Sequence, residues 1–451
     1  MKINFQILII VLIMTLSRSV FSQETWTLDE CVSYALEHNL QLNDFKYDTE
    51  SNRETYRQSF RDLLPRIRGV ADYSIRFGRS IDPNDNSISN TQFFSNNYSL
   101  ESSVDIFQGF QKLNTIKASK LIYRATQEEA LQQKYLLAFR VMEAFYDIQF
   151  FEGALIIAKE QEGISQTNYD LVKKKIELGL MAGADLYEAE SLLLTDKLSV
   201  TQTSNQLVAA KLTLIQEMNL EDMTDINLEI EIREQLKDTE TKEMSSDSIY
   251  YKAKSFIPII KAGKLRNQAA KKQLAVERGN LYPFLSVFGG YGTGYYETIT
   301  DSLGVTLPLR DQFKDNTFQF IGASLTIPIS GGWSSRSRIK QQKIARLRTQ
   351  NNLDIQKQEL LQTIQDLVQE YNALQVEYKQ TVKNVEAQNL TFSVAQRRYE
   401  KGLINAITLF TAKNLFATAQ NQSLQIRLRA EVNKSTLDFY RGLPVFNIKR
   451  P

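Results

Sequence analysis

Few side chains in this 451-residue chain could do the chemistry of an enzyme or of a metal site. His38 is the only histidine and Cys31 is the only cysteine. Metal sites and nucleophilic catalysis usually draw on several such side chains, so neither is indicated. The 52 acidic residues include no recognisable catalytic pair. We therefore expect no catalysis, no cofactor and no bound metal, and we expect Cys31 to be an inert thiol packed on the first helix.

Two further motifs could bind phosphate or nucleic acid. Gly290-Tyr-Gly292-Thr-Gly294 resembles a phosphate-binding loop, but it lies in an aromatic stretch of period 2 with no helix after it, which favours a strand with small inward residues. A basic segment contains Arg336, Arg338, Lys340, Lys343, Arg346 and Arg348. We interpret it as a solvated helix start near a membrane, and we expect no nucleic-acid partner.

The N-terminus has the pattern of a cleaved signal peptide. Lys2 supplies a positive start, residues 7–16 are apolar, and Val20-Phe21-Ser22 forms a cleavage site. Removing residues 1–22 lowers the formal charge from +2 to zero, because Lys2 and Arg18 are lost and no acid is. Beyond the signal no apolar run approaches the roughly 18 residues of a membrane-spanning helix, so any membrane crossing requires strands.

One stretch occurs twice, at a constant offset of 223 residues: Tyr169 to Ala189 is repeated as Phe392 to Ala412. In each copy a long helical pattern runs into a glycine, Gly179 or Gly402, and resumes after it. Glycine tolerates the left-handed conformation that ends a helix, which predicts two helices joined by a tight reversal. A glycine inside a continuous helix is the alternative, but its recurrence in both copies favours the hairpin.

The duplication extends to the order of all elements. The first copy predicts a helix over 26–63 that ends before Pro65, strands over 67–77 and 98–106 around a polar loop over 78–97, and helices over 110–178 and 181–218. The second copy predicts a helix over 247–279, strands over 285–295 and 321–329 around a loop over 297–316, and two helices with coiled-coil spacing. The implied divisions are a signal peptide 1–22, a first repeat 23–220, an acidic bridging segment 221–246, a second repeat 247–441 and a tail 442–451.

Each predicted strand alternates between two faces and is about ten residues long, as in a tilted strand that crosses a bilayer. The charged face is expected to line a wet lumen through Arg68, Asp72, Arg76, Glu101 and Asp105. The apolar face is expected to meet lipid through Tyr73, Ile75, Leu100, Val104, Ile321, Leu325 and Ile327.

Four strands cannot close a barrel, and open strand edges cannot lie in hydrocarbon because their backbone groups would lack partners. The barrel must therefore be shared between chains. Two chains would supply 8 strands and a filled interior, whereas three would supply 12 and leave room for a pore. We expect a homotrimer.

The duplicated order of helix, strand, strand and long helical hairpin, with Pro328-Ile-Ser-Gly-Gly332 between strand and helix, resembles the TolC outer-membrane efflux family. The resemblance covers essentially the whole mature chain. It implies a mainly α protein with transmembrane β-strands, whose homotrimer has a 12-stranded outer-membrane barrel and an α-helical periplasmic tunnel. It also implies a passive exit duct of a tripartite efflux or type I secretion system, energised by an inner-membrane transporter and joined to it by a periplasmic membrane-fusion adaptor.

The resemblance also implies roles for individual residues. The hairpin tips at Gly179, Leu180, Gly402 and Leu403 are expected to dock the adaptor. Asp185 and Tyr399 match family residues that hold the tunnel mouth closed, and a helix cap is the alternative role of Asp185. The family's basic gate position falls at Ile404, and acidic ring positions fall at Thr408 and Thr411. We therefore do not expect the family's closing network to be complete.

Two other functions compete with a drug-efflux duct. A periplasmic coiled-coil adaptor or structural protein would also show long heptads, but it would not need four segments of period 2. A duct of the same fold dedicated to protein secretion or metal export is not separated by the sequence, because the pump selects most of the cargo.

Overall fold

The computed structural model describes residues 25–81, 86–90, 92–221, 223–229 and 245–448. The predicted signal peptide lies outside these residues, as do most of the bridging segment and the end of the tail. Nine helices lie within the described part of the chain. They are α1 Leu28–His38, α2 Leu40–Arg61, α3 Gln111–Glu177, α4 Gly183–Met218, α5 Ser246–Phe256, α6 Pro258–Gly279, α7 Leu309–Asp315, α8 Ser334–Glu400 and α9 Ala406–Tyr440.

The described strands are β1 Thr25–Trp26, β2 Arg66–Arg76, β3 Arg79–Ile81, β4 Ile88–Asn90, β5 Phe93–Gln108, β6 Asn227–Leu228, β7 Phe284–Tyr296 and β8 Phe318–Thr326. Four of them form an antiparallel sheet in the order β2-β5-β7-β8. The sheet therefore joins the two copies through the β5–β7 pair.

Each of the two helices predicted before a strand pair is in fact two helices. Thr27 caps the start of α1 in a reciprocal capping box with Glu30. The helix then breaks at Asn39, whose side chain donates to the carbonyl of Glu217 at 3.1 Å. In the second copy the break falls at Ile257, which is extended (ψ 126°) because it precedes Pro258. Neither break was predicted from the sequence.

The predicted polar loop over 78–97 is wrong in extent. It contains the β3–β4 hairpin, and β5 already begins at Phe93. The strand extends because its early residues find partners on both sides: the Phe94 ring lies 4.4 Å from that of Tyr73 and 5.8 Å from that of Tyr295.

One further strand prediction and one loop prediction also need correction. β8 ends at Thr326, so Ile327 and Ile329 lie beyond the strand. Pro328 between them has no N–H for a ladder hydrogen bond. The predicted loop over 297–316 contains the short helix α7, which is held by the fully buried side chain of Gln312. Its amide donates to the carbonyls of Tyr296 and Leu307 at 3.0 and 2.9 Å.

The chain forms two compact units, and each takes segments from both copies. Unit 1 comprises the described parts of 1–46, 129–260 and 357–451. Its main core packs α1 against the middle of α3 and the end of α4. Cys31 is fully buried there, which confirms that the thiol is packed, and burial raises its pKa to about 12.

Unit 2 comprises the described parts of 47–128 and 261–356. It contains the four-stranded sheet, α2, α6, α7 and the beginnings of α3 and α8. Among the described helices of the whole chain, none is long and apolar enough to cross a membrane.

Candidate functional site

The reversal of the first hairpin is a left-handed helix cap. Gly179 has φ 75°, its N–H donates to the carbonyl of Ile176 at 2.8 Å, and the N–H of Leu180 donates to the carbonyl of Lys175 at 2.8 Å. This pair of hydrogen bonds is a Schellman motif, which satisfies carbonyls that the end of α3 leaves free.

The second hairpin reverses with the same geometry. Gly402 has φ 70°, its N–H donates to the carbonyl of Tyr399 at 2.9 Å, and that of Leu403 donates to the carbonyl of Arg398 at 2.9 Å. The predicted hairpins are thereby confirmed in both copies. Each reversal also presents an exposed leucine, because Leu180 is 71% and Leu403 69% exposed.

The helices that follow the two reversals are capped by different side chains. The Asp185 carboxylate accepts the N–H of Ala182 at 3.1 Å, so Asp185 stands at the third position of α4 and Ala182 is the N-cap. In the second copy Asn405 is the N-cap, and its side chain accepts the N–H of Thr408 at 2.9 Å. Asp185 thus serves the helix start, although not as the N-cap that the sequence suggested.

Tyr399 is 7% exposed and belongs to a small apolar cluster in unit 1. Burial raises the pKa of its phenol; the Asn168 side chain offsets part of that shift, while the nearby charges of Glu188 and Asp185 add to it. The ammonium of Lys175 lies 5.9 Å from the ring centroid. Tyr399 therefore packs between elements of both hairpins as a neutral side chain.

The positions where the family resemblance places further gate charges make apolar or local contacts. Ile404 packs against the same apolar cluster as Tyr399. The hydroxyl of Thr408 donates to Asn405 at 2.7 Å, and that of Thr411 donates to the carbonyl of Ile407 at 2.8 Å. These side chains do not supply charge to a gate.

A buried charge cluster that was not predicted from the sequence also links the hairpins within unit 1. Lys413 of α9 is 2% exposed, and its ammonium donates to the carboxylate of Asp196 on α4. It also donates to the Ser165 hydroxyl at 2.7 Å and lies 4.8 Å from the Phe410 ring centroid. Desolvation lowers the pKa of Lys413, and the bond to Asp196 opposes that shift. One cation therefore ties α9 to both helices of the first hairpin.

A signal for this cluster was present in the heptad pattern. The apolar stripe of α4 steps through Leu186, Ala189 and Leu193 and then reaches Asp196, where the second copy has Ala419. An acid in a buried stripe requires a cation opposite it. The sequence could not say which of the 54 lysines and arginines that would be.

The strand register shows which predicted site residues share a face of the sheet. Arg68 lies opposite Glu101 and pairs with it at 2.6 Å, and Asp72 lies opposite Asn97. Because paired residues of antiparallel strands point the same way, Arg68, Asp72, Arg76, Glu101 and Asp105 occupy one face. The other face carries Tyr73, Ile75, Leu100, Val104, Ile321 and Leu325.

On β7 and β8, the strands of the second copy, the same face of the sheet is aromatic rather than charged. Phe318 and Phe320 of β8 lie over Gly292 and Gly290 of β7, where an added Cβ would stand 2.5 and 2.8 Å from the rings. These glycines therefore make room for aromatic rings, and the predicted strand at this motif is confirmed. The prediction of small residues on this face was incomplete, because the rings of Phe318 and Phe320 cover the glycines.

Comparisons with known proteins agree in family and fold. Residues 31–219 and 249–443 match the family described as outer membrane efflux protein. The chain is 22% identical to the outer membrane protein TolC of Vibrio cholerae over 399 residues, which cover 87% of this chain and 80% of that protein. It is 21% identical to the toluene efflux pump outer membrane protein TtgF of Pseudomonas putida, over 88% of this chain and 79% of the relative.

A solved structure shares the fold at lower identity. The Campylobacter jejuni CmeC outer membrane channel matches with a TM-score of 0.77 and 16% identity, over 92% of this chain and 85% of that one. The chain therefore belongs to the outer membrane efflux protein family, and it is an outer-membrane exit channel for efflux that extends into the periplasm.

Proposed function

We propose that three copies of the chain share one 12-stranded barrel. The observation that carries this proposal is the four-stranded sheet, whose outer strands β2 and β8 each pair on one side only within the described sheet. In hydrocarbon the free edges would leave backbone donors and acceptors without partners, so β8 of one copy must pair with β2 of the next. Three copies give a barrel with room for a pore, whereas the interior of an eight-stranded barrel is filled by side chains.

In this barrel the face with Arg68, Asp72, Arg76, Glu101 and Asp105 lines the lumen, and the face with Leu100 and Val104 meets lipid. The charges support this orientation because an exposed ion pair such as Arg68–Glu101 costs little in water but much in hydrocarbon. Asp105 also pairs with Lys112 at 2.9 Å, where strand gives way to helix. Ile327 is assigned to the rim, since it lies just past the end of β8.

The two hairpin reversals dock a periplasmic membrane-fusion adaptor. This docking role is supported by the matched geometry of the two tips, each of which presents one exposed leucine on a helix cap. An inner-membrane transporter supplies the energy, and the channel itself performs no chemistry. The homotrimer would present six such tips, two from each chain.

The mouth of the tunnel closes through Asp185 and the packing of Tyr399 rather than through a ring of charges. Ile404, Thr408 and Thr411 support this proposal, because their apolar or local contacts leave no cation or acid at the family's other gate positions. The transporter determines the charge and size of the cargo, so drug efflux, protein secretion and metal export are all compatible with the duct.

The mature protein, extracted in detergent, tests the proposal in two steps. Its mass should be three times that of one chain, and in a planar bilayer it should give discrete, long-lived conductance steps. A dimer would leave too small a barrel for a pore, and a water-soluble monomer without conductance would restore the adaptor alternative.

A further inference from the structure

We propose that a basic collar in unit 2 binds the phosphate head groups of anionic phospholipids in the periplasmic leaflet of the outer membrane. The collar is defined by Arg336, Arg338 and Lys340 of α8 and by Lys117 of α3. The proposal rests on the placement of the sheet in that membrane.

The topology puts both parts of the collar beyond the same edge of the sheet. β5 and β8 are each antiparallel to β7, so they run in the same direction and end at one edge. α3 begins three residues after the end of β5, and α8 begins eight residues after the end of β8. If the strands span the bilayer, these two helix starts lie at its periplasmic surface.

The charges in these segments have one sign. Between Asp315 and Asp354 the sequence has six cations and no acid, and between Asp105 and Glu128 it has four cations and no acid. The whole chain carries a formal charge of only +2, so the positive charge is concentrated here. A surface that merely needed solubility would mix both signs.

Helix stability does not account for this pattern. The N-terminal end of a helix favours acids and disfavours cations because of its dipole. The first turns of α3 and α8 nevertheless contain no acidic residue. Arg336, the third residue of α8, therefore occupies a position where the isolated helix would prefer the opposite sign, which favours an external anion.

The collar on α8 is accessible and adjoins exposed apolar residues. Arg336 lies over the Trp333 ring at 4.4 Å, a contact that leaves its charge in place. Arg338 forms an ion pair with Glu277 at 3.6 Å, and its side chain remains 53% exposed. Ile329 and Trp333, just before the helix, are 95% and 72% exposed. An interfacial aromatic followed by cations is the arrangement that membrane surfaces select.

The expected contribution is large enough to measure. A cation at the surface of an anionic leaflet strengthens binding about fivefold, and the effect fades within a Debye length of about 8 Å. A helix rises about 1.5 Å per residue, so Arg336, Arg338 and Lys340 all lie within about 9 Å of the start of α8. Replacing all three should weaken lipid binding about 100-fold.

Native mass spectrometry of the detergent-extracted mature protein can measure this binding. The protein is titrated with phosphatidylglycerol and, separately, with neutral phosphatidylcholine. We expect the wild type to prefer phosphatidylglycerol and the variant Arg336→Gln/Arg338→Gln/Lys340→Gln to lose 10- to 100-fold in affinity for it. The matched control replaces three exposed lysines of unit 1, Lys173, Lys197 and Lys383, by glutamine and should change the affinity less than twofold.

Several outcomes would overturn the proposal. These are equal binding of both lipids by the wild type, an equal loss in the control, or an unchanged affinity in the collar variant. Normal lipid binding with slower export of an anionic substrate would assign the collar to cargo instead. Oligomer mass and conductance are recorded on the same samples: a wild type without conductance would refute the proposed channel itself, whereas normal conductance with unchanged affinity refutes the collar alone.

Discussion

Lys413 carries a positive charge into the interior of unit 1, and its contact with Asp196 is the most deeply buried ion pair described. Burying two charges costs several kcal/mol each, so we expect the pair to contribute specificity rather than net stability. Its three hydrogen-bond partners come from α3 and α4, which fixes the position of α9 against the first hairpin.

Replacing Lys413 by methionine should destabilise the protein by about 3–5 kcal/mol, because the variant leaves the Asp196 carboxylate buried without a partner. The additional change Asp196→Leu should recover most of that loss. Thermal unfolding of the detergent-extracted protein measures both effects, and Lys197→Met, at an exposed position of the same unit, is the control. A double variant as unstable as Lys413→Met alone would mean that the ammonium matters for reasons other than pairing.

Asp185 can be tested for gating separately from capping. Asp185→Asn keeps an oxygen that can accept the N–H of Ala182 but removes the charge, whereas Asp185→Ala removes both. If the charge helps to close the mouth, both variants should raise single-channel conductance in a planar bilayer. If conductance stays at the wild-type level in both, only the capping role remains, and Asp185→Ala alone should lose about 0.5–2 kcal/mol of stability.

At the scale of elements, the hairpins depend on a backbone conformation that few residues adopt. Gly402→Pro imposes φ near −65° where the reversal has φ 70°, so the tip must refold. Export should be abolished while the oligomer stays in the membrane, as judged by substrate accumulation and by mass. Gly183→Ala, close to the other tip but at the first position of α4 with open space around it, should export normally. Normal export by Gly402→Pro would remove the tip from adaptor docking.

The two faces of β5 give an equally direct comparison. Val104→Arg places a charge on the face assigned to lipid and should cost about 2–4 kcal/mol if it lies near the bilayer midplane. Ser103→Arg, its neighbour on the charged face, should cost little. The yield of oligomer in outer membranes measures the difference, and similar yields for the two variants would contradict the assignment of the faces.

At the scale of the whole molecule, duplication and sheet closure are linked. The β5–β7 pair joins the two copies inside one chain, and the pairing proposed between β8 and β2 repeats that junction between chains. Each compact unit consequently contains parts of both copies, although the sequence divides most simply into one repeat after the other. Strand pairing across the duplication, rather than order along the chain, determines which segments pack together.

The sequence by itself determined the features that depend on local periodicity and on the repeat. Glycine at the same place in two helical patterns predicted both reversals. Period 2 predicted four strands and which of their residues share a face, as far as Asp105 in β5. It placed helix α3 to within a residue at each end, because nothing but the reversal interrupts that pattern.

Only the tertiary structure decided the features that depend on a distant partner. The break at Asn39 rests on the carbonyl of Glu217, and the early start of β5 rests on rings from its neighbouring strands. The choice of Lys413 as the partner of Asp196 depends on how α9 packs against α4, which no spacing within either helix encodes. A local sequence pattern reflects the geometry of a single helix or strand. Which residue of another element a side chain contacts depends on how the two elements pack, and that packing exists only in the folded chain.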